Sequence, residues 1–203
     1  MLLLAAVLGI GLMMGWGLGG SLRNLATVEI RLWPALPGAL VLQAIPVPTF
    51  QGGIGRNLPF AVLVGSYLLL VAVLVVNWRL RGFVIVLLGV LLNLAPILAN
   101  QGMPVLGEAV ERAGGSVELV PRARGQKHHL ATEQDRLVPL ADVIAVREPF
   151  ETVVSVGDVL MYAGAGVFLA AAMLGRSRSE PPRAPAPGFG RSPRPSTRSG
   201  TRR

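Results

Sequence analysis

Two amide side chains, a glycine and a proline lie in an otherwise apolar stretch and are the residues with the most potential for chemistry. They recur at helical intervals and therefore share one face of a helix. In chain order they are Gly89, Asn93, Pro96 and Asn100. A proline inside a helix removes one backbone donor, and a nearby amide side chain can satisfy the carbonyl that is freed. We predict a polar seam between neighbouring helices, with a cleft for a polar ligand as the alternative, and Gln43 as the candidate partner.

A second group of polar residues lies nearer the carboxyl end. Ser155 precedes Asp158 by the spacing of a capping box, in which the carboxylate also faces the positive end of a helix. A catalytic Ser/Asp pair is the alternative interpretation. Asp142 lies between apolar residues, and we expect its carboxylate to bond to the local backbone.

Two adjacent histidines complete the set of candidate residues. His128 and His129 follow Lys127 in a polar stretch, and no third ligand lies nearby. A zinc site requires at least three protein ligands, so we predict solvent-exposed imidazoles and no metal. The sequence contains no phosphate-binding glycine loop, no HExxH motif and no nucleophile elbow. It therefore predicts no cofactor and defines no reaction.

The elements that must position these residues are strongly apolar. Hydrophobic residues make up 52% of the chain and charged residues 15%, whereas soluble domains contain about 25% charged residues. The charged residues before Met103 all fall between apolar runs: Arg23, Glu29, Arg31, Arg56, Arg79 and Arg81. One bilayer crossing requires about 20 mainly apolar residues. The sequence therefore predicts an integral membrane protein with the lipid bilayer as its main partner.

We expect an all-α membrane bundle of about five transmembrane helices. Four lie within residues 1–101 and the fifth within residues 154–175. The second falls in residues 34–50, where four prolines predict a short or broken crossing, with a re-entrant hairpin as the alternative. The first helix carries glycines at four-residue spacing, Gly11, Gly15 and Gly19, which allows close approach of a neighbour.

Two polar stretches flank the fifth predicted helix. Residues 102–153 are called the polar unit below. We expect them to form a small α/β-like extracytoplasmic cap on the helix ends, because so short a segment cannot build its own core. Residues 176–203 hold eight arginines among prolines and serines, which predicts a disordered tail. Anionic inner-leaflet lipids are its expected partner, whereas nucleic acid is not expected because stacking aromatics are absent.

The positions of the arginines predict the orientation. Short loops rich in Lys and Arg stay in the cytoplasm, and the turn at residues 78–82 and the tail are the two basic flanks. Counting crossings from these flanks places the amino terminus and the polar unit outside and the carboxyl terminus in the cytoplasm. If residues 34–50 do not cross, the first helix must run the other way.

Four sequence patterns are similar to a known family. They are Asn93–Val105 (NLAPILANQGMPV), His129 with the following leucine, Arg136–Ile144 (RLVPLADVI) and Val154–Leu160 (VSVGDVL). Over about residues 1–174 the chain resembles an uncharacterised bacterial family of small multi-pass membrane proteins, a domain of unknown function. The resemblance implies residence in a bacterial plasma membrane. It implies no activity, cofactor or catalytic residue.

The function predicted from these features is non-enzymatic. The chain is expected to be a transporter-like module or an accessory subunit, acting with a protein partner or as a homo-oligomer. The alternative is a membrane-embedded enzyme that works at the outer face and uses Asp142, Asp158 or His129. An acid and a base that converge in the folded chain would favour the enzyme.

Overall fold

The computed structural model describes residues 2–45, 47 and 57–178 of the chain. Its helices are α1 (Leu2–Gly17), α2 (Leu22–Leu25), α3 (Ala35–Ala44), α4 (Leu58–Val76), α5 (Phe83–Asn100), α6 (Gly107–Arg112) and α7 (Val156–Met173). Its strands are β1 (Met103–Val105), β2 (His128–Leu130), β3 (Ile144–Val146) and β4 (Thr152–Val154). Most of the predicted tail, residues 179–203, lies outside the described residues.

Three of the helices are long and apolar enough to cross a membrane, namely α4, α5 and α7. The apolar helices α1 and α3 are shorter. Large hydrophobic side chains on the outer surface of the helices stay exposed, among them Leu68 (56%) and Leu98 (51%). A contiguous exposed apolar surface is unfavourable in water but not in lipid. The helices are therefore compatible with membrane insertion.

Glycines bring α5 and α7 into close contact. Gly89 of α5 faces Gly157 of α7, and Gly82 at the start of α5 faces Gly164. A β-carbon at Gly157 would lie 2.6 Å from the carbonyl oxygen of Gly89 and would overlap Asn93 Oδ1. Backbones that approach this closely gain van der Waals contact, which is the main attraction between helices in lipid.

Glycines also allow close contact between α1 and α7. Gly11 packs against Gly166, and Gly15 packs against Ala170 and Met173. Later residues of α1 contact later residues of α7, so the two helices run parallel. The third glycine of the predicted series, Gly19, does not join this contact, because it lies beyond α1 with φ +84° and open space around it.

The segments that contain the basic residues lie together at one end of the bundle. Asn77 accepts a hydrogen bond from the Arg31 amide at 2.8 Å and donates one to the Arg31 carbonyl at 2.8 Å. The Arg81 amide donates to the Ser177 carbonyl at 2.8 Å, and Leu80 forms a bridge with Arg178. Residues 28–31, 77–82 and 174–178 therefore meet at one end, which we call the arginine end.

The polar unit lies at the opposite end. Lys127 donates to the carbonyl oxygens of Gln43 at 2.8 Å and of Ile45, at the carboxyl end of α3. A cation at this position also interacts favourably with the helix dipole. Because Arg31 lies at the arginine end and Ile45 at the polar-unit end, residues 31–45 connect the two ends.

Two small sheets build the polar unit. Strand β1 pairs in parallel with β2, and β3 pairs antiparallel with β4. The backbone of Asp142 extends the first sheet, since its amide donates to Pro104 and its carbonyl accepts from Leu106, both at 3.0 Å. Residues 103–105 form β1, and α6 begins only at Gly107.

Candidate functional site

A cleft of about 260 Å³ lies where the polar unit meets α3, α4, α5 and α7. Its polar lining residues are Gln43, Tyr67, Asn93, Lys127, His128, Asp142, Thr152, Asp158 and Tyr162. Asn93 lies seven residues before the end of α5. At 1.5 Å per residue, the cleft therefore reaches about 10 Å below the polar-unit end of that helix. Ionisable groups at such a depth among apolar helices are unusual and mark functional sites by default.

A ring of hydrogen bonds forms the floor of the cleft. Asn93 Nδ2 donates to Asp158 Oδ1 at 2.7 Å, and Ser155 Oγ donates to Asn93 Oδ1 at 2.6 Å. Ser155 and Asp158 also form the capping box that their spacing predicts, with both bonds at 2.9 Å. Each oxygen of the Asp158 carboxylate accepts a hydrogen bond, so this group is fixed in place as a hydrogen-bonded carboxylate.

Asp142 forms the opposite wall of the cleft, and its environment differs from that of Asp158. Only 9% of its side chain is exposed, and His128 Nε2 lies 3.8 Å from its Oδ2. Burial raises the pKa of the Asp142 carboxyl well above its usual range, and the charge of Asp158 adds to this effect. The two carboxyls therefore differ in their surroundings: that of Asp158 is held by hydrogen bonds to both oxygens, whereas that of Asp142 is buried and more easily protonated.

The cleft brings together four residues singled out from the sequence, namely Gln43, Asn93, Asp142 and Asp158. Contrary to expectation, the carboxylate of Asp142 forms no hydrogen bond to the backbone of the described residues; the backbone of Asp142 pairs with β1 and its side chain lines the cleft. Gln43 forms no hydrogen bond with Asn93 among the described residues, and its buried Nε2 has no partner there.

Pro96 and Asn100 lie outside the cleft. Asn100 Nδ2 donates to the carbonyls of Pro96 at 2.9 Å and Arg136 at 2.8 Å, and its Oδ1 accepts from the Arg136 amide at 2.8 Å. This amide therefore ties the polar unit to the end of α5. It does not reach the carbonyl that Pro96 frees, which belongs to Leu92 one turn earlier.

The buried stripe on α5 includes both asparagines. Asn93 and Asn100 are each 1% exposed, whereas Leu91 and Leu98 are 46% and 51% exposed. Leu94 is only 8% exposed and belongs to the hydrophobic core, and Leu87 packs against the same core.

His129 also lies outside the cleft, and the prediction that it is exposed was wrong. It is fully buried, with Nε2 3.1 Å from Asp135 Oδ1. Asp135 also accepts from Arg124 at 2.7 Å and from the Thr132 amide at 2.7 Å. Although burial opposes ionisation, hydrogen bonds from Thr132 and His129 lower the pKa of Asp135. This group stabilises the polar unit internally.

Four polar lining residues were not singled out from the sequence: Tyr67, Lys127, Thr152 and Tyr162. His128 was predicted to be exposed, and its side chain is 56% exposed although it lines the cleft. Tyr162 follows Asp158 by one helical turn, so the two share a face, and this spacing was a usable signal. Successive side chains of a strand point to opposite faces. Two adjacent histidines in β2 therefore cannot both face solvent, and this rule identifies one inward-facing histidine without saying which.

Within the described residues, no group of three His, Asp or Glu side chains is placed to hold a metal.

We expect the stability of the protein to fall as the pH rises through the raised pKa of Asp142. In the unfolded chain this pKa returns to about 3.9, so the folded state holds an extra proton between the two values. The stabilisation that this extra proton provides is complete below the pKa of the unfolded chain. It is lost as the pH rises above the pKa of Asp142 in the folded protein. Asp142→Asn should remove this slope and raise the melting temperature at neutral pH.

The measurement is thermal melting in detergent from about pH 4 to 8, a range set by the ordinary carboxyl pKa. Glu108→Gln is the matched control, because Glu108 lies on the surface of the polar unit in an exposed pair with Arg112. The account is contradicted if Asp142→Asn keeps the pH slope of the original protein.

No curated protein and no solved structure matches the chain. The profile of a family of unknown function (DUF5317) matches residues 27–170. The matched region includes α3, α4, α5, the polar unit and most of α7, and with them every polar residue that lines the cleft. The chain belongs to this family of unknown function.

Proposed function

We propose that the chain is a multi-pass membrane protein whose cleft binds a small polar solute, as part of a transporter-like module. The observation that supports this most is the convergence of Asp142, Asp158 and Gln43 in one cleft among apolar helices, where the amide of Gln43 has no partner among the described residues. Ionisable residues within a membrane are costly, and they occur mainly along solute, ion or proton paths.

The proposal includes five crossings, made by α1, α3, α4, α5 and α7, with the second one short. Two contact patterns support this number. Helix α1 runs parallel to α7, and residues 31–45 connect the arginine end with the polar-unit end. Each of the five apolar helices then runs opposite to the one before it in the chain. The resulting units are residues 1–101, the polar unit as an outer cap, residues 154–175 and a tail of residues 176–203.

The orientation in the proposal follows from charge. The arginine end carries Arg79 and Arg81, and the arginine-rich tail leaves from the same end, so this end faces the cytoplasm. The amino terminus and the polar unit then lie outside a bacterial plasma membrane. The cleft opens toward the outer side.

The lining residues favour a small cation that also carries a hydrogen-bond acceptor. The carboxyl groups of Asp142 and Asp158 line the cleft together, and a bound cation would favour the ionised form of Asp142. The ammonium group of Lys127 is held by the carbonyls of α3 instead of pairing with either carboxyl. Gln43 Nε2 supplies a buried donor that no acceptor in the described part of the chain engages. The cleft of about 260 Å³ is smaller than sites for drug-sized ligands, which begin at about 300 Å³.

Ethanolamine and glycine amide are suitable probes, because each combines an ammonium group with an acceptor. We expect either compound to raise the melting temperature of the detergent-solubilised protein, since a ligand that binds only the folded state stabilises it. Asp142→Asn should weaken the apparent affinity at least about tenfold, which corresponds to about 1.4 kcal/mol.

Glu108→Gln is again the control, and it should bind like the unmodified protein. Neutral compounds of the same size, such as ethylene glycol, should have no effect. Equal affinities in Asp142→Asn and Glu108→Gln would contradict a binding role for the carboxyl group, and so would the absence of stabilisation by either probe at millimolar concentration.

A membrane-embedded enzyme at the outer face is the second candidate. The observation in its favour is that His128, Asp142 and Asp158 line the same cleft, with a base and a carboxyl 3.8 Å apart. If the protein is an enzyme, its catalytic histidine is His128 and not His129, which the sequence had suggested. The variant His128→Gln separates the two functions, because it abolishes turnover of a substrate but leaves solute binding by the carboxyls largely intact.

An accessory subunit is a third role, in which the chain acts with a protein partner or a second copy of itself. This role makes no use of the cleft residues. Purification in mild detergent, followed by mass measurement of the intact particle, distinguishes a monomer that binds solute from a subunit of a larger assembly.

A further inference from the structure

A second cavity lies between α1 and α7, toward the arginine end. This groove encloses about 600 Å³ and is lined mainly by apolar residues. Ile10 and Met14 of α1 form one wall, and Val167 and Ala170 of α7 form the other. Gly166 lies in the groove, and a β-carbon there would meet only open space. The groove therefore has room for a flexible apolar chain.

Two arginines lie at one end of the groove. Arg81 and Arg176 both contribute to its lining. Their backbones are held by hydrogen bonds, from the Arg81 amide to the Ser177 carbonyl and from the Arg176 amide to the Ala171 carbonyl, both at 2.8 Å. Neither side chain forms an ion pair within residues 2–45, 47 and 57–178. Two guanidinium groups at the mouth of an apolar groove complement an amphiphile with an anionic head.

We propose that the groove binds one anionic phospholipid. Its phosphate is held by Arg81 and Arg176, and one acyl chain follows the groove past Gly166 toward Tyr162. Guanidinium groups bind phosphate with charge-assisted, frequently bidentate hydrogen bonds. The proposal is independent of the solute that binds in the cleft.

The dimensions of the groove fit one leaflet of a bilayer. Along α7, the lining residues extend from Leu174 to Tyr162, which is about 18 Å at 1.5 Å per residue. Half of a hydrocarbon core of about 30 Å is about 15 Å. A chain from a headgroup at the arginine end therefore reaches Tyr162, whose side chain also lines the cleft.

The test is native mass spectrometry of the full-length, delipidated protein, titrated with phosphatidylglycerol or with phosphatidylcholine of the same chain length. The unmodified protein should bind the first phosphatidylglycerol at least about tenfold more tightly than phosphatidylcholine, a difference of about 1.4 kcal/mol. The double variant Arg81→Gln, Arg176→Gln should lose this preference.

Two further variants separate the site from general surface charge. Arg79→Gln removes a charge from the same turn, but Arg79 lies over the Trp78 ring and not in the groove, so lipid preference should persist. Gly166→Leu fills the groove without changing the charge, and it should weaken binding of both lipids. Melting temperatures in lipid-free detergent confirm that each variant is folded.

Three outcomes overturn the proposal. One is equal affinity for the two lipids, and another is an equal loss of preference in Arg79→Gln and the double variant. The third is a particle mass of two chains without lipid, which means that a second copy covers the groove. If Arg81→Gln, Arg176→Gln is unfolded, full lipid affinity in Gly166→Leu still refutes the site.

Discussion

Gly157→Leu should disrupt the packing between α5 and α7 and lower the free energy of unfolding by more than about 4 kcal/mol. Overfilling a close-packed interface costs about 1–3 kcal/mol. The new side chain also displaces Asn93 from the hydrogen-bonded ring with Ser155 and Asp158. Each buried polar group left without a partner costs about 1–3 kcal/mol more.

The matched control is Gly65→Leu in α4. A β-carbon at Gly65 meets no atom within 4 Å, so the same added volume faces open space. Size-exclusion chromatography and thermal melting in detergent should show a folded, monodisperse Gly65→Leu protein and an aggregated or strongly destabilised Gly157→Leu protein. Equal melting temperatures for the two variants would mean that α5 and α7 do not meet at Gly157.

Features that depend on local sequence were predicted correctly. The apolar runs around α4, α5 and α7 predict long helices, because no charge interrupts them. The spacing of Ser155 and Asp158 predicts a capping box, because both partners lie within one turn. Membership of a family of unknown function was also predicted, from motifs in α5 and at the start of α7.

Features that depend on distant contacts were not predictable from one sequence. Asn93 bonds to Asp158, which is 65 residues later, and Lys127 bonds to Gln43, which is 84 residues earlier. Periodicity predicts which face of a helix is polar, but not which element covers it. The candidates Gln43, Asn93, Asp142 and Asp158 could therefore be named from the sequence, whereas the cleft that unites them could not.

The positions of His128 and His129 also depend on contacts that the local sequence does not show. Alternation along β2 forces His128 and His129 to opposite faces, but the choice between them depends on how β2 pairs with β1. That pairing turns His129 toward Asp135 in the interior and His128 toward Asp142 in the cleft. The residues next to the two histidines do not show which strand β2 pairs with.

The central claim is that the cleft opens to the outer side of the membrane. The chain has no cysteine, so single cysteines report positions without background. Thr152 lies in the cleft wall and Ser177 lies at the arginine end. The third position, Leu68, is exposed on the apolar surface of α4, where only lipid should surround it.

The decisive measurement is labelling of intact cells with a membrane-impermeant maleimide, before and after permeabilisation. We predict that Thr152→Cys is labelled in intact cells, that Ser177→Cys is labelled only after permeabilisation, and that Leu68→Cys is labelled in neither condition. Prior addition of ethanolamine should slow the labelling of Thr152→Cys alone. Labelling of Thr152→Cys only after permeabilisation, or at neither stage, would contradict an outward-facing cleft.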